Sequence, residues 1–187
     1  FEYDDKMSSP QAIYYFKNLD DNLIEPMTKE TVNMYSQGDG NELESKMKAL
    51  KSSSAMTYNL IGNGNIRVKL NAEFEPGEYS VTFEKQLSTI KNNPKKANLD
   101  AFLESKKELI FCEIKMTEWL FNRPGILRKP YLNKENYNCE NSYQAFNKCI
   151  NEVSVLKPTD NGDVKCRFKY YDAFQMLKHS IAIYNYA

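Results

Sequence analysis

The sequence predicts an α/β protein in which a central mixed β-sheet is flanked by helices, and three patterns carry that prediction. Ile66, Val68, Leu70, Ala72 and Phe74 alternate strictly with polar residues. Beyond a Pro76-Gly77 turn, Val81, Phe83 and Lys85 alternate with Ser80, Thr82 and Glu84, which puts Glu84 on the polar face. A period of two is that of half-buried strands. Leu43, Met47, Leu50, Ser54, Tyr58 and Ile61 recur instead every three or four residues, as do Tyr170, Phe174, Leu177, Ile181 and Tyr184, the spacing of one helical face. The predicted strands are 66–74, 79–86, 98–104 and 109–115, with flanking helices over 42–60 and 168–186.

The remaining elements follow from caps and breakers. Ser8 or Ser9 before Pro10 starts a first helix through Ile13 and Phe16 that Asp20 and Asp21 end, and 26–40 has room for another short one. Asn41 caps the 42–60 helix, which Gly62 and Gly64 close. A polar, lysine-rich loop covers 87–97 and suits phosphate contact. Thr117 caps a turn through Trp119 and Leu120 that Arg123-Pro124-Gly125 ends. Asn141 or Ser142 begins a helix carrying Phe146, Cys149, Ile150, Val153 and Leu156 on one side, closed by Pro158 and Gly162.

A chain of 187 residues is long enough for one domain with a substantial core and short for two, so a single domain over 1–187 is expected. No apolar run approaches the roughly 18 residues of a membrane span, and a soluble, cytoplasmic protein is expected without a membrane partner. The first residue is Phe1 and not Met, which leaves a removed leader open. Lys plus Arg equals Asp plus Glu at 25 each, so no global positive field advertises a nucleic-acid partner. Basic residues cluster locally over 91–96, at Lys106 and Lys107, and at Arg123, Arg128 and Lys129. Cys112, Cys139, Cys149 and Cys166 lack C-x-x-C spacing, and His179 is the lone histidine, which excludes the usual zinc patterns.

The segment Leu109-Ile110-Phe111-Cys112-Glu113-Ile114-Lys115 reads as a buried strand with two opposite charges at its end. Glu113 and Lys115 point to the same side, roughly 6–7 Å apart along the strand. Asn98 to Glu104 forms the preceding strand, and Ser105-Lys106-Lys107-Glu108 has the length of a hairpin loop. With the loop centred between Lys106 and Lys107, Asp100 stands opposite Glu113, and opposed Cβ atoms lie roughly 4.5–5.5 Å apart. Two carboxylates that close repel unless a proton or cation separates them. An all-carboxylate site suits Mg²⁺ or Mn²⁺, and the carbonyl of Ile114, between the paired charges, is a natural further ligand.

Asp100 followed by a hairpin and Glu113-Ile114-Lys115 resembles the catalytic pattern of the PD-(D/E)xK nuclease superfamily, the restriction-endonuclease-like fold. Gly40-Asn41-Glu42-Leu43, Ser52-Ser53-Ser54-Ala55-Met56-Thr57-Tyr58-Asn59, Thr82-Phe83-Glu84-Lys85-Gln86-Leu87, Asn98-Leu99-Asp100 and Glu113-Ile114-Lys115-Met116-Thr117-Glu118 resemble, in order, blocks of one bacterial branch of that superfamily. The resemblance implies Mg²⁺- or Mn²⁺-dependent hydrolysis of phosphodiesters in nucleic acid, DNA ahead of RNA, with Asp100, Glu113 and Lys115 at the centre. It implies Glu42, with Glu44 as the fallback, as a helix-borne metal ligand, Glu84 as an accessory carboxylate and Gln175 as a polar residue from a helix behind the active strand. Further strands normally follow such a helix, so a C-terminal truncation at Ala187 is also an expectation. The alternative is a nuclease-like fold that binds nucleic acid or a protein without cutting.

Overall fold

The strongest alternation in the sequence becomes a four-stranded sheet ordered β1 (Asn65–Val68), β2 (Gly77–Leu87), β3 (Ala97–Glu104) and β4 (Leu109–Cys112) in a computed structural model of the chain. The residues described are 15–38, 41–68, 74–93, 95–116, 124–155 and 158–187. The N-terminal helix start, the end of the predicted 66–74 strand and the turn at Thr117 fall outside them. Where a mixed sheet was expected, the recorded pairs β1–β2 and β3–β4 are antiparallel. The reason lies in the links, since a short hairpin loop joins only antiparallel neighbours. Among the described residues no helix is long and apolar enough to cross a membrane.

The chain divides into two compact units, Phe1–Lys85 with Asn98–Met116, and Gln86–Ala97 with Thr117–Ala187. In the first, Tyr35, Met47, Ala55, Tyr58, Tyr79, Val81, Phe83, Ala101 and Leu103 form the core. Tyr35, from helix α1 (Lys29–Ser36), stacks on Phe83 with ring centroids 5.0 Å apart, and Tyr58, from α2 (Ser53–Ile61), meets the same ring at 6.1 Å. β4 is half-buried along its length and not the buried strand expected. Among the described residues it lies at the edge of the sheet, with a partner on one side only.

The helix predicted over 42–60 is corrected to a turn and a 3-10 helix, Lys46–Lys48, followed by α2 from Ser53. The carbonyls that would continue a helix are already in use. Asn22 Nδ2 donates to Met47 O at 2.7 Å and Ala49 O at 2.9 Å, and Phe16 N donates to Lys48 O at 2.8 Å. Ser52 then caps α2, its hydroxyl accepting from Ala55 N at 3.1 Å, a bond that suits a helix start and not its interior.

In the second unit α3 (Glu140–Val153) and α4 (Ala173–Tyr186) accompany a two-stranded sheet of β5 (Ile126–Leu127) and β6 (Val164–Lys165). Leu127, Ile150, Phe174 and Ile181 are at most 2% exposed in its core. The helix predicted from 168 starts at Ala173 instead, and Tyr170 and Tyr184, assigned to the core stripe, are 58% and 54% exposed. The backbone before α4 is committed elsewhere: Cys166 N donates to Gly125 O and Arg167 N to Val153 O, each at 2.8 Å. Asp172 becomes the cap, Oδ1 accepting from Gln175 N at 3.0 Å.

Gly125 makes that cap possible, because a Cβ there would stand 1.9 Å from Asp172 Oδ1. Gly125→Ala is therefore expected to displace the cap and overpack the strand end. From typical costs of a lost cap and of overpacking, urea unfolding should show a loss of roughly 2–4 kcal/mol. An unchanged unfolding midpoint would mean that Asp172 rotates away without cost.

Candidate functional site

The site grows from the register of the β3–β4 hairpin. Ala101 pairs with Cys112, Phe102 with Phe111, Leu103 with Ile110 and Glu104 with Leu109, the register predicted from the loop. Ser105 shapes that loop: its hydroxyl accepts from Lys107 N at 3.2 Å and from Glu108 N at 3.1 Å. The recorded pairing ends at Ala101 and Cys112, with Asp100 and Glu113 the next residues beyond it on the two segments. Asp100 Oδ2 accepts a hydrogen bond from Ile114 N at 2.6 Å. It is thus the amide of Ile114 that Asp100 engages. Lys115 Nζ donates to Glu113 Oε1, although the strand expected over 109–115 ends at Cys112 and neither residue belongs to it. The Glu113 side chain is 10% exposed and that of Lys115 38%.

Two further carboxyl groups lie in the same unit, each placed by a local irregularity. Glu42 sits in the turn before the 3-10 helix and not on a helix, yet it is only 5% exposed. Lys46 Nζ donates to its Oε1 and Ser54 Oγ to its Oε2, both at 2.7 Å. Glu84 departs from the polar face assigned to it, because its φ of 49° breaks the alternation of β2 and buries it beside Phe83. A non-glycine residue in this conformation costs about 1–3 kcal/mol. The space it turns into is open because Gly38 carries no side chain; a Cβ there would lie 3.1 Å from Glu84 Cβ and 3.4 Å from its Oε2.

Glu84 feels the other three carboxyl groups. Burial first, then the charges of Glu42 and Asp100, push the Glu84 carboxyl from 4.5 up to about 8, with Glu113 adding to the rise and Lys46 opposing it. Burial and the same charges of Glu84, Asp100 and Glu42 also raise the Tyr35 hydroxyl, which donates to Ser54 O at 3.3 Å. Burial, with Asp100 second, raises the Cys112 thiol. The side chains that interact here are oxygen donors, with more carboxyl groups (Glu42, Glu84, Asp100, Glu113) than ammonium groups (Lys46, Lys115). Among the described residues, no group of three or more His, Cys, Asp or Glu side chains forms a ready-made metal cage.

Other residues singled out from the sequence stand elsewhere. Gln175 belongs to the second unit, in the first turn of α4. Glu44 is exposed. Of the basic clusters, Lys107 Nζ lies 3.7 Å from Glu75 Oε2 and Arg128 Nη1 2.8 Å from Asp163 Oδ2, so those two serve ion pairs. Lys91 lines a cavity of about 630 Å³ in the second unit with Thr89, Asn93, Asn138 and Asn185. Lys46, Ser54, Tyr35 and Gly38 were not anticipated at the site. The four-residue spacing of Glu42 and Lys46 was the one legible sign; the others depend on tertiary packing.

The raised Glu84 carboxyl has a signed consequence for stability. The folded chain keeps a proton that the unfolded chain releases above about pH 4.5, so this group's contribution is full below that pH and is lost as pH rises through about 8. Relative to wild type, Glu84→Gln should therefore gain stability across that window. The gain should grow by at most about 1.4 kcal/mol per pH unit and level off above pH 8. Paired urea titrations across the window measure it, and a difference that does not change with pH would show an ordinary carboxylate.

With the geometry in place, comparison with known proteins adds one relation. No curated protein and no solved structure matches the chain. A family model described as REase-ARP, Restriction Endonuclease associating with ARP, matches residues 4–187, which spans nearly the whole sequence and both units. By that match, the chain belongs to the family of restriction endonucleases associating with ARP.

Proposed function

We propose that the protein hydrolyses phosphodiester bonds of nucleic acid, DNA ahead of RNA, in a reaction that depends on Mg²⁺ or Mn²⁺, with the PD-(D/E)xK arrangement of Asp100, Glu113 and Lys115. The observation that carries this reading is the β3–β4 hairpin, recorded as far as Ala101 opposite Cys112, together with the bond from Ile114 N to Asp100 and the contact of Lys115 with Glu113 just beyond it. Membership of a restriction-endonuclease family supports the same chemistry.

The donor set fits a hard divalent cation. Every acidic group in it is a carboxyl, and Glu84 is pushed up by burial first and by the charges of Glu42 and Asp100 second, the latter being the part that a cation would relieve. The described residues hold no group of three or more His, Cys, Asp or Glu side chains placed to bind a metal, so Glu42 would join Asp100 and Glu113 only on rearrangement; Mg²⁺ can bind through one or two carboxylates and complete its shell with water and substrate phosphate. Asp100 and Glu113 would hold the ion, with the Ile114 carbonyl and Glu42 as further ligands. When bound, such an ion polarises the phosphate and lowers the pKa of water.

The protein's own groups would do the rest. Lys115 would carry its ammonium from Glu113 to the phosphate, orient the attacking water there and stabilise the charge that develops, or, in its neutral amine form, take the proton from that water. The hydrogen bond from Ile114 N would hold Asp100 in one orientation, and Lys46 and Ser54 would do the same for Glu42. The bond between Lys115 and Glu113 also favours a second reading, in which the pair is structural and the chain binds nucleic acid or a protein without cutting it.

Cleavage and metal-binding measurements separate these readings. Asp100→Asn and Glu113→Gln are expected to weaken Mn²⁺ binding, followed by calorimetry, and cleavage together, because each removes a charged ligand. Lys115→Ala should leave Mn²⁺ affinity within about twofold and reduce turnover about a hundredfold or more, since its charge acts on the transition state. Gln175→Ala tests the polar helix residue in the same assay. If single-stranded, duplex and branched DNA and RNA all survive Mg²⁺ or Mn²⁺ intact, the non-cutting reading replaces this one. If wild type cuts and the Asp100 and Lys115 variants cut equally well, the activity belongs to other residues.

A further inference from the structure

The run from Lys165 to Tyr171 places exposed Lys165, Arg167, Phe168, Lys169, Tyr170 and Tyr171 around a buried Cys166, with no acidic residue among them. Phe168, Tyr170 and Tyr171 are 38%, 58% and 55% exposed. Burying such a side chain contributes about 1.5–3 kcal/mol, so folding alone gives no reason to leave three of them in water within four residues. The run is also anchored. Cys166 N and Arg167 N bond to Gly125 O and Val153 O, Val155 N bonds to Lys165 O at 2.8 Å, and the Cys166 thiol reaches Tyr171 O at 3.6 Å. The Arg167 guanidinium lies 5.2 Å from the centre of the Phe168 ring, which meets Tyr171 edge-on at 6.3 Å and 72°.

We propose that this segment is a stacking site for unpaired bases of a nucleic-acid strand, the aromatic rings taking base faces and Lys165, Arg167 and Lys169 the flanking phosphates. Aromatic faces interleaved with cations are the composition of single-strand sites, where each base stacks and the backbone follows positive charge. A protein partner matches it less well, because lysine is depleted from protein interfaces. A duplex matches it less well again, since its base faces are already stacked on one another. The assignment rests on the nuclease reading for its substrate class and deepens it, giving the second unit a role in recognising unpaired strand.

The test uses the full chain in EDTA, where metal-dependent cutting is off, with a labelled DNA oligonucleotide of mixed sequence, about 20 nucleotides, as single strand and as blunt duplex. Fluorescence anisotropy should show tighter binding of the single strand. Tyr170→Ala and Tyr171→Ala should each weaken it about tenfold, and Tyr170→Phe should retain it. Replacing Lys165, Arg167 and Lys169 together by Ser should lower the salt dependence of binding by about two. Should an alanine variant melt early, Tyr170→Leu keeps apolar bulk without the ring and is expected to lose the same affinity. Four results overturn the proposal: no binding of either probe, wild-type affinity in the ring variants, preference for the duplex, or substitutions that change only self-association or a protein contact. A chain that binds strands through these residues yet cuts nothing in Mg²⁺ upholds the stacking site and removes the nuclease reading. A chain that cuts while its ring variants bind as wild type does the reverse.

Discussion

The candidate site hangs on one constraint, the antiparallel register between β3 and β4. Side chains alternate across a strand, so a slip of one residue would send the face carrying Asp100 to the other side of the sheet. Two features hold the register. Ser105 ties the loop to Lys107 and Glu108, and Asp100 takes the Ile114 amide where β4 has ended. The second feature means that a proposed catalytic carboxylate also fastens the segment beyond β4 that carries Glu113 and Lys115.

Burying carboxyl groups in this unit opposes its stability, and the structure meets that cost in three different ways. Glu42 is satisfied by an ammonium and a hydroxyl, and Glu113 meets Lys115 through Oε1. Glu84, by burial first and then by the charges of Glu42 and Asp100, is pushed toward holding its proton. The left-handed backbone at Glu84 adds local strain at the same place. Strain and unfavourable charge coincide at Glu84, a combination that clusters at functional sites in proteins generally. The hydrophobic cluster around Phe83, Tyr35 and Tyr58 supplies the stability against which both are set.

The second unit is organised differently. Its core is built by α3, α4 and the short β5–β6 pair, and its polar features lie in the connecting segments: an asparagine-rich cavity near Lys91 and the exposed aromatic and basic run before α4. Gly125 and Asp172 fix where that run ends and α4 begins. The family match extends over this unit as well as the first.

Local pattern by itself determined the places of the four sheet strands, the register of the β3–β4 hairpin and α3. Each depends on alternation, loop length or helical spacing within a few residues, and such short-range preferences survive in the folded chain. Three decisions belonged to the tertiary structure. The helix expected from Asn41 gave way because Asn22 and Phe16, distant in sequence, claim the carbonyls of Met47, Lys48 and Ala49. Glu84 left the polar face because Gly38 leaves room for a left-handed residue to turn inward. The start of α4 moved from 168 to Ala173 because Gly125 and Val153 hold the preceding backbone. In each case a hydrogen bond or a close contact from far along the chain outweighed a local propensity of a few tenths of a kcal/mol per residue, and sequence pattern carries no record of such partners.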